Sequence, residues 1–416
     1  LTNPTCEVRI VKTNKREIVV YIPRDIQTQI TQAIQYYPVL IVTGARQVGK
    51  TTALRKILPA YNYVSLDLPS LAQQAECDPK SFLAMHPAPL IIDEVQYAPG
   101  LFRHLKAAVD ENRQRFGQFV LIGNQHFTLM QQVSESLAGR VAIFELENLN
   151  LPEIAHSIKT TEKRVITRGQ FPELWRNEEL PSSLFYSSYL ATYLERDVRQ
   201  ILNVVSLRDF ERCIRILAAR SGSILNKSEV AKDVGVSVKA IGDWISVLQA
   251  SAQIVLLEPW FQNFGKRIAK SPKLYFSDSG LLCFLLGVDE QNLENSPFLG
   301  MIWETFLFGE LRKTHAYRNS TIKLWHYRDQ YATEVDFIIE WRGKLSFAEA
   351  KWSELPNLKD TRSMSTIYRE LQNSDSPWKA ENRYLLSRAH NPYPLGDCTQ
   401  VVRAQDIPYL KEMQNS

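Results

Sequence analysis

Residues 39–51, reading Val-Leu-Ile-Val-Thr-Gly-Ala-Arg-Gln-Val-Gly-Lys-Thr, constrain the fold more than any other stretch of this chain. Val39 to Val42 form a short apolar run rich in β-branched residues, the pattern of a strand buried on both faces. Gly44, four further residues, Gly49, Lys50 and Thr51 then fit G-x-x-x-x-G-K-[ST], a phosphate-binding loop. The glycines let the backbone turn its N–H groups inward around an anion with no side chain in the way. Ala45, Arg46, Gln47 and Val48 complete the loop. Lys50 would set a positive charge beside the β- and γ-phosphates of ATP, and Thr51, followed by Thr52, would offer a hydroxyl to Mg²⁺. A helix starting near Gly49 would add its N-terminal dipole to the same anion site. The bland alternative is a glycine-containing surface turn, and the apolar run in front argues against it.

The next stretches supply partners for such a loop. A helix over 24–36 would lead into the first strand, and helix over 52–57 would follow the loop. Residues 63–66 read as a strand and 71–85 as one helix stopped by Pro87 and Pro89. Then Leu90-Ile91-Ile92-Asp93-Glu94 reads as a buried strand with carboxylates at its carboxyl end, where Asp93 would hold magnesium and Glu94 would orient and deprotonate water. Residues 119–122 form another strand, and Asn124 just beyond it is the candidate γ-phosphate sensor, or else a turn residue. Arg140 precedes a fifth strand over 141–146. It is a candidate arginine finger, acting within the chain or on a neighbouring copy, with a structural capping arginine as the alternative. The fold class is therefore α/β, with a parallel sheet whose ligands gather at the carboxyl ends of its strands.

Size and charge bound the remainder. At 416 residues the chain should hold two to four domains, and no run of eighteen apolar residues predicts a membrane span. Five scattered cysteines, Cys6, Cys77, Cys213, Cys283 and Cys398, make no C-x-x-C pair and fit a reducing cytoplasm. The net charge of +4 hides an asymmetry: residues 196–275 carry 13 Lys/Arg against 7 Asp/Glu, leaving 36 against 38 elsewhere.

In that basic segment, 186–204 and 209–219 have helical periodicity, and Arg220 is a candidate for a second nucleotide sensor. Residues 228–237 read as helix, glycine turn and helix, with Ser228 and Ser237 as caps and Gly235 in the turn. Leu256, Leu257 and 259–261 would form a wing. The module predicts a winged helix, equally a DNA contact, an ATPase lid or a protein-binding surface. Lys266, Arg267, Lys270 and Lys273 form a basic cluster that could face phosphate or simply water.

Toward the end, 303–311 reads as an amphipathic helix and 324–328, 334–339 and 347–351 as strands. Asp336 followed by Glu349-x-Lys351 matches the D…(D/E)-x-K arrangement of restriction-endonuclease-like cores. On a strand i and i+2 share a face, so Glu349 and Lys351 point together. Asp336 and Glu349 could bind Mg²⁺, Lys351 could help generate hydroxide, and Glu304 could complete the metal shell. A salt-bridged cluster on adjacent strands is the alternative.

The chain resembles a prokaryotic family of AAA-type ATPases that carry a C-terminal domain of unknown function. The likeness rests on Thr43 to Thr52, Ile92-Asp93-Glu94-Val95-Gln96, Ser136-Leu137-Ala138-Gly139-Arg140, Gly169-x-Phe171-Pro172-Glu173, residues 193–198, Ser271 to Phe276 and Glu334-Val335-Asp336-Phe337. The resemblance implies ATP binding, a helical lid of winged-helix character and a C-terminal fold of restriction-endonuclease type. The family usually has Gly-Ser-Gln where this chain has Gly123-Asn124-Gln125, and beyond Ser353 the sequence turns polar and the pattern fades. The expected division is an extension over 1–20, an AAA+-like P-loop core over 21–160, a winged-helix lid over 161–275 and a nuclease-like domain over 276–416. Expected partners are ATP, DNA through the last two parts and, for a finger acting in trans, a second copy of the chain. The alternative to a DNA-directed nuclease is a nucleotide-operated switch or scaffold with an inactive nuclease-like domain.

Overall fold

The computed structural model describes residues 21–123, 136–193, 207–260, 271–318, 322–331, 333–374, 376–396 and 399–410. Asn124, the extension over 1–20, the 194–198 part of the family motif, and Lys266, Arg267 and Lys270 lie outside them.

Five strands form the first sheet: β1 Val39–Thr43, β2 Asn62–Ser65, β3 Leu90–Asp93, β4 Phe119–Ile122 and β5 Val141–Glu145. Their order is β2-β3-β4-β1-β5 and every pair is parallel. Alternate residues face opposite layers, as the two-residue strand period demands. Val39, Ile41, Leu90, Ile92, Phe119 and Leu121 pack on one side with Leu101, Phe102, Leu105 and Val109. Leu40, Val42, Ile91, Val120 and Ile122 pack on the other with Ile26, Ile30, Ala53 and Leu54. Both faces are covered, which explains why these strands are continuous apolar runs rather than alternating ones.

Two helices differ from expectation. The stretch 71–85 is broken into Pro69–Cys77 and Pro79–Met85, with Asp78 capping the second by accepting from Ser81 N at 3.2 Å. Pro79 cannot donate to the preceding turn but suits the first position of a new helix, so the chain restarts there. The helix Leu101–Glu111, unforeseen, supplies the apolar layer just described.

The middle of the chain adds the helix Leu207–Ala218, β6 Ser223–Ile224, the helices Lys227–Val234 and Val238–Ala250, β7 Ile254–Leu257 and β8 Lys273–Phe276. The three strands form an antiparallel sheet in the order β6-β8-β7, so a ribbon of β7 and β8 follows the helix pair; of the expected wing, Leu256 and Leu257 lie in β7 and Phe261 lies outside the described residues. Gly235 makes the turn at φ 86° and Ser237 caps the second helix. The first cap is Asn226 rather than Ser228: its side chain accepts from Ser228 N and Glu229 N, and Ser228 lies inside the first turn.

The last part begins with the twenty-residue helix Leu299–Arg318, longer than the predicted 303–311. β9 Lys323–Arg328, β10 Glu334–Trp341 and β11 Lys344–Ala350 run antiparallel to one another. The helix Arg362–Gln372 leads into β12 Lys379–Ser387, then β13 Tyr393–Pro394 and β14 Thr399–Arg403. The sheet order is β13-β14-β12-β11-β10-β9. One apolar cluster joins Ile241 and Leu248 of the middle part to Phe306 and Leu311 of the long helix and to Phe337 and Tyr384 of this sheet. The expected boundary at 275/276 therefore divides the sequence but not the core.

Candidate functional site

The phosphate loop leaves β1 at the carboxyl end of the first sheet. Gly44 has φ 139°, and a Cβ there would meet the Leu146 carbonyl oxygen at 2.0 Å. The first glycine is thus required by the strand exit behind the loop. Gly49, at φ 89°, immediately precedes the helix Lys50–Ile57. Lys50 donates from Nζ to the carbonyls of Gly44 at 3.0 Å and Ala45 at 2.7 Å. Burial pushes its pKa down to about 8, with Glu94 and Asp93 pulling the other way.

Across the cavity, Thr51 Oγ1 donates to Asp93 Oδ2 at 2.5 Å and Tyr63 donates its hydroxyl to the same oxygen at 3.0 Å. The loop threonine and the β3 aspartate, from separate motifs, are brought together here. They fit a magnesium ion arriving with nucleotide, because Mg²⁺ takes one or two carboxylates and leaves the remaining positions to phosphate and water. Glu94 sits beyond the strand end at φ 53°, its carboxylate held by the Gln96 amide and its pKa raised, chiefly by burial. A cavity of about 430 Å³ is lined by Arg46, Gln47, Gly49, Lys50, Thr51, Thr52, Asp93 and Glu94, together with Tyr189 and Thr192. The last two come from the helix Ser182–Tyr193, which lies too far along the sequence to be read as part of the loop's site. A neighbouring, more apolar cavity of about 490 Å³ shares Gln47, Gly49 and Thr52 and adds Ile22, Ala53 and Pro172. Gly44, Ala45 and Val48 do their work as backbone, and Val48 is buried behind the loop.

Neither arginine candidate reaches this site. The Arg140 carbonyl accepts from Val39 N at 3.3 Å, at the amino end of β1 and so at the opposite end of the strands from the loop. Its guanidinium forks onto Asp110 at 2.7 and 3.0 Å. A finger acting on its own chain's nucleotide is excluded by that placement. Arg220 is paired to Asp233 at 2.5 Å on the helix-turn-helix and does not line the cavity.

Part of the nuclease-like set converges on an amine. Asp336 on β10 lies near Glu304 of the long helix and near Glu349 of β11, and Lys273 of β8 pairs with Glu304 and Asp336. Lys273 Nζ lies 3.0 Å from Glu304, 2.6 Å from Glu334 and 3.6 Å from Asp336, and the side chain is 1 % exposed. Burial alone would lower its pKa, yet Glu304, Asp336 and Glu334 together hold it above the ordinary lysine value. Tyr275 donates to Glu304 Oε1 at 2.6 Å, and Glu304 is pushed up to about 7 by burial and by Asp336. Asp336 Oδ2 accepts from Ala350 N at 2.9 Å.

Glu349 pairs with Lys351 at 3.2 Å, as the shared strand face predicted. Burial and Asp336 raise its pKa well above the carboxylate range, and its Oε1 has no hydrogen-bond partner among the described residues. Of the expected metal shell, Glu304 and Asp336 are paired to the Lys273 ammonium, while Glu349 neighbours Asp336 and Lys351. Among the described residues no group of three or more His, Cys, Asp or Glu is arranged to hold a metal. Lys273 is likewise not the phosphate-facing surface lysine that its sequence neighbours suggested.

Residues 36–155 match the family described as an AAA domain, and 159–292 and 299–407 match two domains of unknown function, DUF8612 and DUF4143. The chain is 30% identical over 369 residues to the uncharacterized protein Rv2008c of Mycobacterium tuberculosis, covering 88% of this chain and 81% of that one. Protein Mb2031c of Mycobacterium bovis matches to the same extent. Among solved structures, a Walker-type ATPase of Pyrococcus abyssi aligns with 65% of this chain and 97% of its own, at 13% identity and a TM-score of 0.45. The RuvB Holliday junction branch migration motor of Thermotoga maritima aligns with 57% of this chain and 92% of its own, at 15% identity and a TM-score of 0.30. Both are loose likenesses. Loop, strand order and family match together make residues 36–155 an ATP-binding AAA+ module.

Proposed function

This chain belongs to the family of the mycobacterial proteins Rv2008c and Mb2031c, and from that premise we propose that it is an ATP-operated switch whose C-terminal domain does not cleave nucleic acid. In this reading ATP enters the cavity beside Lys50 with magnesium held by Thr51 and Asp93. Glu94 orients water for hydrolysis, its carboxylate turned or released by the Gln96 amide. The lid helix carrying Tyr189 and Thr192 closes the same cavity and so answers to the nucleotide state.

The reading of the last part as a nuclease-like fold is supported by its order of helix, three antiparallel strands, helix and parallel strand, with Asp336 and Glu349 on neighbouring strands. The observation that carries the inactive form is Lys273. A divalent cation could reach Glu304 and Asp336 only by expelling a buried ammonium already paired with three carboxylates. That exchange would leave a lysine 1 % exposed with Glu334 as its one remaining carboxylate partner of the three, which is unfavourable. The domain then serves as a docking or scaffold module for protein or DNA.

Supercoiled plasmid incubated with the protein, ATP and Mg²⁺ or Mn²⁺ tests this. We expect intact plasmid beside measurable ATP turnover. Nicking that disappears in both Asp336→Ala and Lys351→Ala would restore the nuclease reading, and absence of ATP turnover would remove the hydrolytic one.

A further inference from the structure

Arg24 lies ahead of the first helix, 5 % exposed, and belongs to no motif. Its guanidinium nevertheless reaches three separate segments. Nη1 donates to the Val48 carbonyl in the phosphate loop at 2.9 Å. Nη2 donates to the carbonyls of Glu147 at 2.7 Å and Asn148 at 3.2 Å, in the chain leaving β5. Nε donates to Glu153 Oε1 at 3.2 Å, and Glu153 is itself fixed by the backbone N–H groups of Asp25 and Asn150 at 2.7 and 2.9 Å.

We propose that Arg24 is a positioning residue of the nucleotide site, setting the Val48–Gly49 peptide so that its N–H serves the phosphates. The peptide unit is planar and trans, so the Val48 carbonyl and the Gly49 N–H point in opposite directions. Drawing the carbonyl back onto a guanidinium anchored at β5 aims the N–H forward, into the cavity that Gly49 lines. That peptide needs an anchor, because a glycine at φ 89° tolerates the flipped alternative almost as well. The charged, buried donor supplies the bias without touching nucleotide. The inference rests on the nucleotide site itself, and wild-type binding of ATP serves as the control that separates the two.

The test measures binding of ATP and of inorganic tripolyphosphate, which has no base or sugar. The variant is Arg24→Met combined with Glu153→Gln, so that no buried carboxylate is left unpaired. With the thermal midpoint recorded alongside, both ligands should bind roughly 10- to 100-fold more weakly, the scale of one lost charge-assisted hydrogen bond. Wild-type affinity for tripolyphosphate in a folded variant overturns the proposal, since a mere brace would lower the midpoint alone. Loss of ATP binding with tripolyphosphate unaffected also overturns it, because Arg24 would then be reading the base. If the double variant does not fold, Arg24→Lys decides: it keeps the charge and loses the fork, and undiminished tripolyphosphate affinity overturns the proposal. Failure of the wild type to bind ATP would instead sink the nucleotide site.

Discussion

Two buried centres in this protein are built from the same side chains and do opposite things. In the phosphate loop, Lys50 rests on two neutral carbonyls and faces a cavity of about 430 Å³, with Asp93 held off by Thr51 and Tyr63. In the C-terminal part, Lys273 rests on Glu304, Glu334 and Asp336 with 1 % of its side chain exposed. Carbonyl dipoles can be exchanged for phosphate oxygens at small cost, because the charge gains a stronger partner. Carboxylates cannot be surrendered in that way without stranding charges on both sides. The partner class, more than the lysine, separates a binding site from a sealed one.

The largest effect should come from breaking the sealed centre. Lys273→Met leaves buried Asp336 and half-buried Glu304 and Glu334 without their shared ammonium, and should destabilise the fold by about 3–5 kcal/mol in chemical denaturation. Glu304, already pushed up to about 7, should rise further in this variant. A carboxylate whose folded pKa is raised contributes stability that is present at low pH and lost as pH climbs through the folded value. The variant should therefore recover stability between pH 8 and 6. It should also gain a thermal shift from Mn²⁺ that the wild type lacks. A variant indifferent to Mn²⁺ would show that the lysine does not stand in a cation's place.

The open centre gives the next largest effect. Lys50→Ala should weaken ATP binding about a hundredfold, from loss of charged hydrogen bonds to phosphate, while leaving denaturant stability almost unchanged or improved. The two lysines thus separate by readout: one variant loses ligand, the other loses fold. A Lys50→Ala protein that bound ATP normally would remove the comparison altogether.

How much of this contrast the sequence could reveal depended on where each lysine's partners lie along the chain. Lys50, Thr51 and Gly44 are neighbours in one loop, and Asp93 sits at the end of an apolar run, so their coming together was legible in local pattern. Asp336, Glu349 and Lys351 were legible for the same reason, through strand alternation. Lys273 was not. It follows Lys266, Arg267 and Lys270 and reads as one more surface charge until β8 carries it under the long helix. Tyr189 and Arg24 are similar, each reaching the loop only through tertiary packing. Two misses were avoidable. Asp78-Pro79 is a capping residue before a first-turn proline, and signals a restarted helix. Met364, Ile367, Tyr368 and Leu371 mark an apolar helical face within the polar tail, and all four are buried.

A subtler contrast lies in pH. Lys50, pushed down to about 8, is the group whose charge the nucleotide needs. Below pH 8 the amine is already protonated, and ATP affinity should be flat. Above it, binding must also recover a proton, so affinity should fall by up to about tenfold per pH unit. The unliganded fold behaves oppositely: the unfolded chain keeps this proton to its ordinary value near 10.5, so this group favours the folded state increasingly from about pH 8 upward. Calorimetry from pH 7 to 9.5 should show the affinity falling. A flat profile would mean that Lys50 stays charged throughout, with Asp93 and Glu94 compensating its burial.

The smallest effect tests the edge of the sheet between and beyond these centres. Arg140 forks onto Asp110 in a largely exposed pair, so Arg140→Ala should leave both stability and ATP affinity at wild-type values. Its placement at the amino end of β1, away from the loop, leaves one route to catalysis, through a nucleotide bound by another copy of the chain. In that case the wild-type turnover per chain should rise with protein concentration, and Arg140→Ala should flatten the dependence without altering binding. Mixing Arg140→Ala with Lys50→Ala, each defective in a different half of such a joint site, should restore part of the turnover. Turnover independent of concentration, with Arg140→Ala as active as wild type, would confine Arg140 to holding α/β layers together through Asp110 and leave the phosphate loop to work within a single chain.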